Sequence, residues 1–173
     1  MPQQNQPQQN QPQQNTEISV ATYRARIVKL QEAMKEFGLE AVVLESGPAM
    51  TWLTGVRWGR SERTFAVVLT QKGDPAWVLP GFEEARAREL IKVGEDIRVW
   101  QEDESPYQRV AAIIKDRGVA SGRVGMEESV RFFVFDGVRK QAAPKLEYVS
   151  AQPALKAAGA DLSPAAGRGG RKQ

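Results

Sequence analysis

The sequence predicts an α/β domain, a mixed sheet of about six strands flanked by helices. Two patterns carry that prediction. Segments with apolar residues three and four apart alternate with short β-branched runs, as helices and buried strands do when they take turns along a chain. One pair of strands is joined by a turn-like linker instead of a helix, so a hairpin interrupts the crossovers and the sheet is mixed. At 173 residues the chain has room for one such domain with a core plus some tail.

The elements follow in order. The opening MPQQNQPQQNQPQQN repeats PQQNQ and holds neither a charge nor an apolar residue after Met1. Such a segment cannot bury enough to offset its chain entropy, so 1–16 is expected to be disordered. Val20, Tyr23, Ile27, Leu30, Met34 and Phe37 then form the apolar stripe of one helix that Gly38 stops. LEAVVLES reads as a largely buried strand, and Gly47-Pro48 begins a brief helix through Trp52 that Gly55 ends.

TFAVVLT and PAWVLP are strands around the linker Gln71-Lys72-Gly73-Asp74. Phe82 to Lys92 is predicted helical, with Glu83 and Glu84 suited to the dipole at its start. DIRVWQ is a strand. In SPYQ, Ser105 serves as N-cap, with Pro106 in the first helical position and the helix running to about Arg117. GRVGMEE is a strand, Ser129 is expected to cap a helix carrying Phe132, Phe133 and Val138, and KLEYVSA is the last strand. After about Leu155 the periodicity ends, which divides the chain into a repeat at 1–16, a domain at 17–155 and a disordered tail at 156–173.

Composition narrows the function. Without cysteine there are no disulfides, thiolate metal sites or cysteine nucleophile, which fits a cytoplasmic, reducing location. Without histidine, the usual catalytic triads, most zinc sites and the commonest general base cannot be built. No stretch approaches the ~18 apolar residues that a membrane span needs. Two of the three net positive charges fall in the last stretch, so the body is nearly neutral, and nucleic acid is not an expected partner of it.

No lysine precedes a serine or threonine, so there is no Walker A loop, and Gly118, Gly122 and Gly125 lack dinucleotide-fingerprint spacing. GRGGRK has the composition of an RNA-binding arginine-glycine tail, which makes a small RNA-binding module the alternative reading. Glu102-Asp103-Glu104 and Glu127-Glu128 are read as solvated acids charging the helices that follow. The stretch WLTGVRWGRSERTF is different. It holds two tryptophans, two glycines and three arginines against one acid, more aromatic surface and charge than a plain turn needs.

The run YRARIVKLQEAMKEFGLEAVVL, then MTWLTG, then a polar loop ending in arginine before the hairpin TFAVVLTQKGDPAWVLP, resembles the N-terminal domain of the creatinase, prolidase and aminopeptidase P metallopeptidases. The resemblance runs from about Thr22 to Leu155 and is most specific at Trp52-Leu53-Thr54-Gly55. It implies a ribonuclease H-like mixed sheet, followed in the family by a pita-bread catalytic domain. That second domain holds a pair of divalent metals, such as manganese, and cleaves Xaa-Pro bonds or hydrolyses creatine.

The resemblance implies no catalytic residue and no metal ligand in this chain. Where the family's exit leads into the catalytic domain, SAQPALKA gives way to AGADLSPAAGRGGRKQ, which reads as a truncation or frame change. The implied role is self-association, or pairing with a pita-bread domain, and contact with peptide substrate only in that full-length context. In the creatine-hydrolysing branch an aromatic and an arginine before the hairpin touch substrate. Placed from Thr54-Gly55, the arginine falls on Arg63 and the aromatic on Ser61, so a creatine-type substrate is not expected. Arg63, with Trp58 and Arg60, is the candidate set for meeting a peptide carboxylate.

Overall fold

A computed structural model describes residues 17–160 and 162. The Pro/Gln/Asn repeat and the GRGGRK segment lie outside the described residues. The elements are α1 (Val20–Phe37), β1 (Leu39–Glu45), α2 (Pro48–Thr54), β2 (Ala66–Thr70), β3 (Ala76–Pro80), a single 3-10 turn (Gly81–Glu83), α3 (Glu84–Leu90), β4 (Ile97–Trp100), α4 (Pro106–Asp116), β5 (Gly122–Met126), α5 (Phe132–Gln141), β6 (Leu146–Ser150) and α6 (Gln152–Ala157).

The six strands form one mixed sheet in the order β4-β3-β2-β1-β5-β6. β2 pairs antiparallel with β1 and β3, while β3 with β4, β1 with β5 and β5 with β6 are parallel. β2 therefore runs against the other five. The central strands are apolar on both faces, and their side chains divide by parity. Val42, Leu44, Val67, Leu69, Trp77 and Leu79 pack under α1, α2, α3 and α6. Ala41, Val43, Ala66, Val68, Ala76 and Val78 pack under α4 and α5. Helices on both sides are what a sheet buried on both faces requires.

Two glycines let these layers close. Gly55 ends α2 at φ +79, and a Cβ there would stand 2.6 Å from the ring of Tyr23 on α1. Within α5, a Cβ on Gly137 would meet the Tyr107 ring of α4 at 2.5 Å, so the glycine sets how near the two helices lie.

Several expectations are corrected. Ser129 is not the cap of α5; Arg131 is the extended N-cap residue, and the serine hydroxyl is turned to Glu127 instead. Phe82 sits in the 3-10 turn, and α3 ends at Leu90 because Ile91 is extended. In the α1 stripe, Val20 and Phe37 are 41% and 37% exposed, while Ala33 takes a buried place. The expected boundary at 155 falls inside α6, whose Ala154 and Leu155 are buried with Ala158 just beyond the helix. Small residues with no apolar period hide such a helix from a periodicity reading. No described helix is long and apolar enough to cross a membrane.

Candidate functional site

Because β2 is reversed, five strands bring their C-terminal ends to the sheet edge where β2 begins. The register shows it: Glu45 faces Ala66, Val43 faces Met126, Met126 faces Ser150 and Pro80 faces Trp100. In open α/β sheets ligands bind outside the carboxyl ends of the strands. The polar loop at 56–65 leads from α2 across to β2 along it.

The WLTG segment anchors the loop. Leu53 is fully buried and Trp52 packs partly buried against the same core. Arg26 of α1 donates to the Trp52 carbonyl at 2.7 Å and lies 5.1 Å from its ring centroid. The Thr54 hydroxyl donates to the Met50 carbonyl at 2.7 Å and accepts from the Val56 N–H at 3.2 Å. One side chain thus closes the helix and directs the chain that leaves it.

Trp58 stacks on Phe65, centroids 4.5 Å apart at 22°, and Phe65 meets Trp77 edge-on at 6.1 Å. The guanidinium of Arg86, from α3, stands 5.1 Å from the Trp58 centroid. Trp58 is thereby part of an aromatic series that runs from the core to a cation at the surface, a partly buried group with most of its face in use.

Arg60 and Arg63 have different surroundings. Arg60 spans two backbone segments, donating from Nε and Nη2 to the Ser46 carbonyl at 3.1 and 2.8 Å and from Nη1 to the Ser129 carbonyl at 2.8 Å. The Arg63 side chain is exposed to a similar degree, 37% against 33% for Arg60, but meets different partners. Its guanidinium pairs with Glu102 and lies 5.4 Å from the centroid of Phe82, whose side is 82% exposed. The Ser61 hydroxyl accepts the Arg63 N–H at 3.1 Å, and the Trp100 indole N–H donates to the Thr64 carbonyl at 3.0 Å, fixing the loop on both sides of Arg63.

Phe82, Glu102 and Arg86 are missing from the candidates read from sequence. Phe82 supplies an aromatic beside Arg63 although Ser61 stands at the aligned position, and it arrives from the far end of the hairpin. The only signal for it is a large apolar residue in a turn after a strand. Glu127, read as solvated, is 7% exposed and accepts from the Ser129 N–H at 3.0 Å and from its hydroxyl. Among the described residues no group of three or more His, Cys, Asp and Glu side chains is placed to hold a metal ion.

Residues 26–158 match the creatinase/prolidase N-terminal domain. The chain belongs to this family. Among curated relatives, the probable dipeptidase PepE of Mycobacterium tuberculosis is 32% identical over 101 residues, 57% of this chain and 27% of that protein. Among solved structures, dipeptidase PepE of Mycobacterium ulcerans superposes with a TM-score of 0.69 at 27% identity, covering 80% of this chain and 37% of that one. The creatinase N-terminal domain of a Streptococcus thermophilus dipeptidase, at 16% identity and a TM-score of 0.63, shares the fold and is covered over 96% of its length. The chain therefore spans about a third of its full-length relatives and nearly all of an isolated domain.

Proposed function

We propose that this creatinase-type domain serves as the non-catalytic N-terminal part of an Xaa-Pro peptidase-like assembly in the cytoplasm. It associates with itself or with a pita-bread catalytic domain and completes the mouth of that domain's active site. The hydrolytic chemistry belongs to the partner. So does a divalent metal pair such as manganese, which the family's second domain holds.

One observation carries this reading: Arg63 stacked over a nearly bare Phe82 on the strand-end edge of a chain in this family. A large ring left in water beside a guanidinium gives an anchor of the kind that dominates protein contacts. The same guanidinium is geometrically suited to a peptide carboxylate, which would replace Glu102. Trp58, on the same loop as Arg63, is stacked on Phe65 and met by Arg86, and Arg60 ties the loop to the Ser46 and Ser129 carbonyls.

The test is size-exclusion chromatography with light scattering, on the chain alone and mixed with a pita-bread domain of a PepE-type dipeptidase, with Xaa-Pro cleavage followed in manganese. The chain alone is expected to be inactive. The domain is expected to associate, and Arg63→Ala with Phe82→Ala together should weaken association by about tenfold or more. A strict monomer that ignores such a domain, or metal-dependent cleavage by the chain alone, would overturn the proposal.

A further inference from the structure

Glu45, the last residue of β1, has a side chain only 1% exposed. A carboxylate so buried must be matched by opposite charge and hydrogen bonds. Arg131, just before α5, supplies most of them: its backbone N–H donates to Oε2 at 3.0 Å, Nε to Oε1 at 3.1 Å and Nη2 to Oε1 at 2.6 Å. Arg60 adds its Nη2 3.9 Å from Oε2. The two arginines come from loops on either side of β1, and one carboxylate stands between them.

Each arginine carries part of the exposed edge with it. Arg60 bonds the carbonyls of Ser46 and Ser129 and belongs to the loop that presents Trp58 and Arg63. The Arg131 guanidinium lies 4.7 Å from the centroid of Phe133, and beside it Phe132 and Phe133 are 74% and 45% exposed at the start of α5. Glu127 accepts from the Ser129 N–H and hydroxyl, so the residue whose carbonyl Arg60 grips is itself held. A buried ion pair is a poor source of net stability, because desolvation offsets much of the attraction. What it does set is the place of each guanidinium.

We infer that Glu45 is a positioning residue that locks the loop at 56–65 and the start of α5 into one preformed rim. Only its functional consequence rests on the proposed role of that rim. The locking itself is a property of the isolated chain. With the carboxylate neutralised, both segments open locally while the sheet stays closed. A preformed rim spends less ordering entropy when a partner docks, so loss of the lock weakens association without removing any contact residue.

The experiment is amide hydrogen exchange on the whole chain, comparing wild type with Glu45→Gln and Arg131→Ala. Glu45→Gln should speed exchange roughly tenfold or more at the hydrogen-bonded amides of the two segments, Arg63 in the loop and Arg131, Val134 and Phe135 at the start of α5, the scale of losing a charge-assisted hydrogen bond, with β2 and β3 unchanged. Arg131→Ala should do the same at the Arg63 amide, although among the described residues Arg131 makes no hydrogen bond or ion pair to that loop. Wild-type exchange at the Arg63 amide in both variants would overturn the inference, as would a uniform rise across the sheet. Should Glu45→Gln not fold, Arg131→Ala alone decides. Loosened segments with undiminished association would leave the lock standing and refute the rim as a contact face.

Discussion

Gly55→Ala tests why the WLTG segment ends in glycine. Two costs are added by one methyl group. At φ +79 an alanine is in the left-handed region, at roughly 1–2 kcal/mol. Its Cβ would also stand 2.6, 2.7 and 2.8 Å from Cζ, Cε2 and Oη of Tyr23, a ring that is 6% exposed and has Arg26 and Lys92 each 5.6 Å from its centroid. Forcing that ring aside is overpacking, about 1–3 kcal/mol. Together the loss is about 2–5 kcal/mol, a large part of an ordinary domain's stability. Urea unfolding followed by tryptophan fluorescence measures it, in the wild-type and in a Tyr23→Leu background. With the ring gone, Gly55→Ala should cost only the conformational part, about 1–2 kcal/mol. Equal costs in the two backgrounds would show that contact with α1 does not select the glycine.

Tyr148→Phe should raise stability by about 1 kcal/mol in urea titrations, because the Tyr148 hydroxyl is buried with no hydrogen-bond partner among the described residues. Burial also pushes that hydroxyl's pKa up, against the pull of Arg139, and a destabilised variant would contradict this account. The hydrogen bond from Arg98, with further charge from Arg98 and Arg117, holds the Asp96 carboxyl below its usual range. A depressed folded-state pKa contributes stability that is present above the unfolded value of about 3.9 and lost as pH falls through the folded one, so Arg98→Ala should lose less on acidification below about pH 4 than the wild type does. Acid titrations of equal slope would refute this. Glu102→Gln should change stability by less than about 0.5 kcal/mol, since Glu102 is 75% exposed in its pair with Arg63. In light-scattering titrations with a catalytic domain the same variant should associate more tightly, because the guanidinium loses its competitor; weaker association would mean that Glu102 is itself part of the contact.

Where the sequence was legible, the determinants were local. Ser105 caps α4 through a bond to the Gln108 N–H at 3.2 Å, three residues on, and that motif is visible as SPYQ. The hairpin and the central strands follow from short apolar runs and turn residues. Ser129 failed as a cap because Glu127 competes for its hydroxyl, and Glu127 does so only because the end of β5 buries it. The partners of the loop arginines were beyond any local reading: Arg63 and Glu102 are 39 residues apart, Arg60 and Ser129 are 69, and Arg131 and Glu45 are 86. Only the sheet order brings them to one edge.

The arginine surplus of WLTGVRWGRSERTF therefore does not measure affinity for anything. Arg57 is exposed, Arg60 binds backbone carbonyls beside a buried carboxylate, and Arg63 lies over an exposed ring. Among the described contacts, Arg63 alone of these three lies against an aromatic surface that a partner would cover. A loop that merely solvated a sheet edge would need neither the Glu45 lock nor the stack of Trp58 on Phe65, since hydrated arginines need no fixed geometry. Rigid support under an exposed pair is instead what lowers the entropic cost of docking. The site is thus better defined as Arg63 with Phe82, on a loop that Trp58 and Arg60 anchor elsewhere, than as the run of residues that contains most of it.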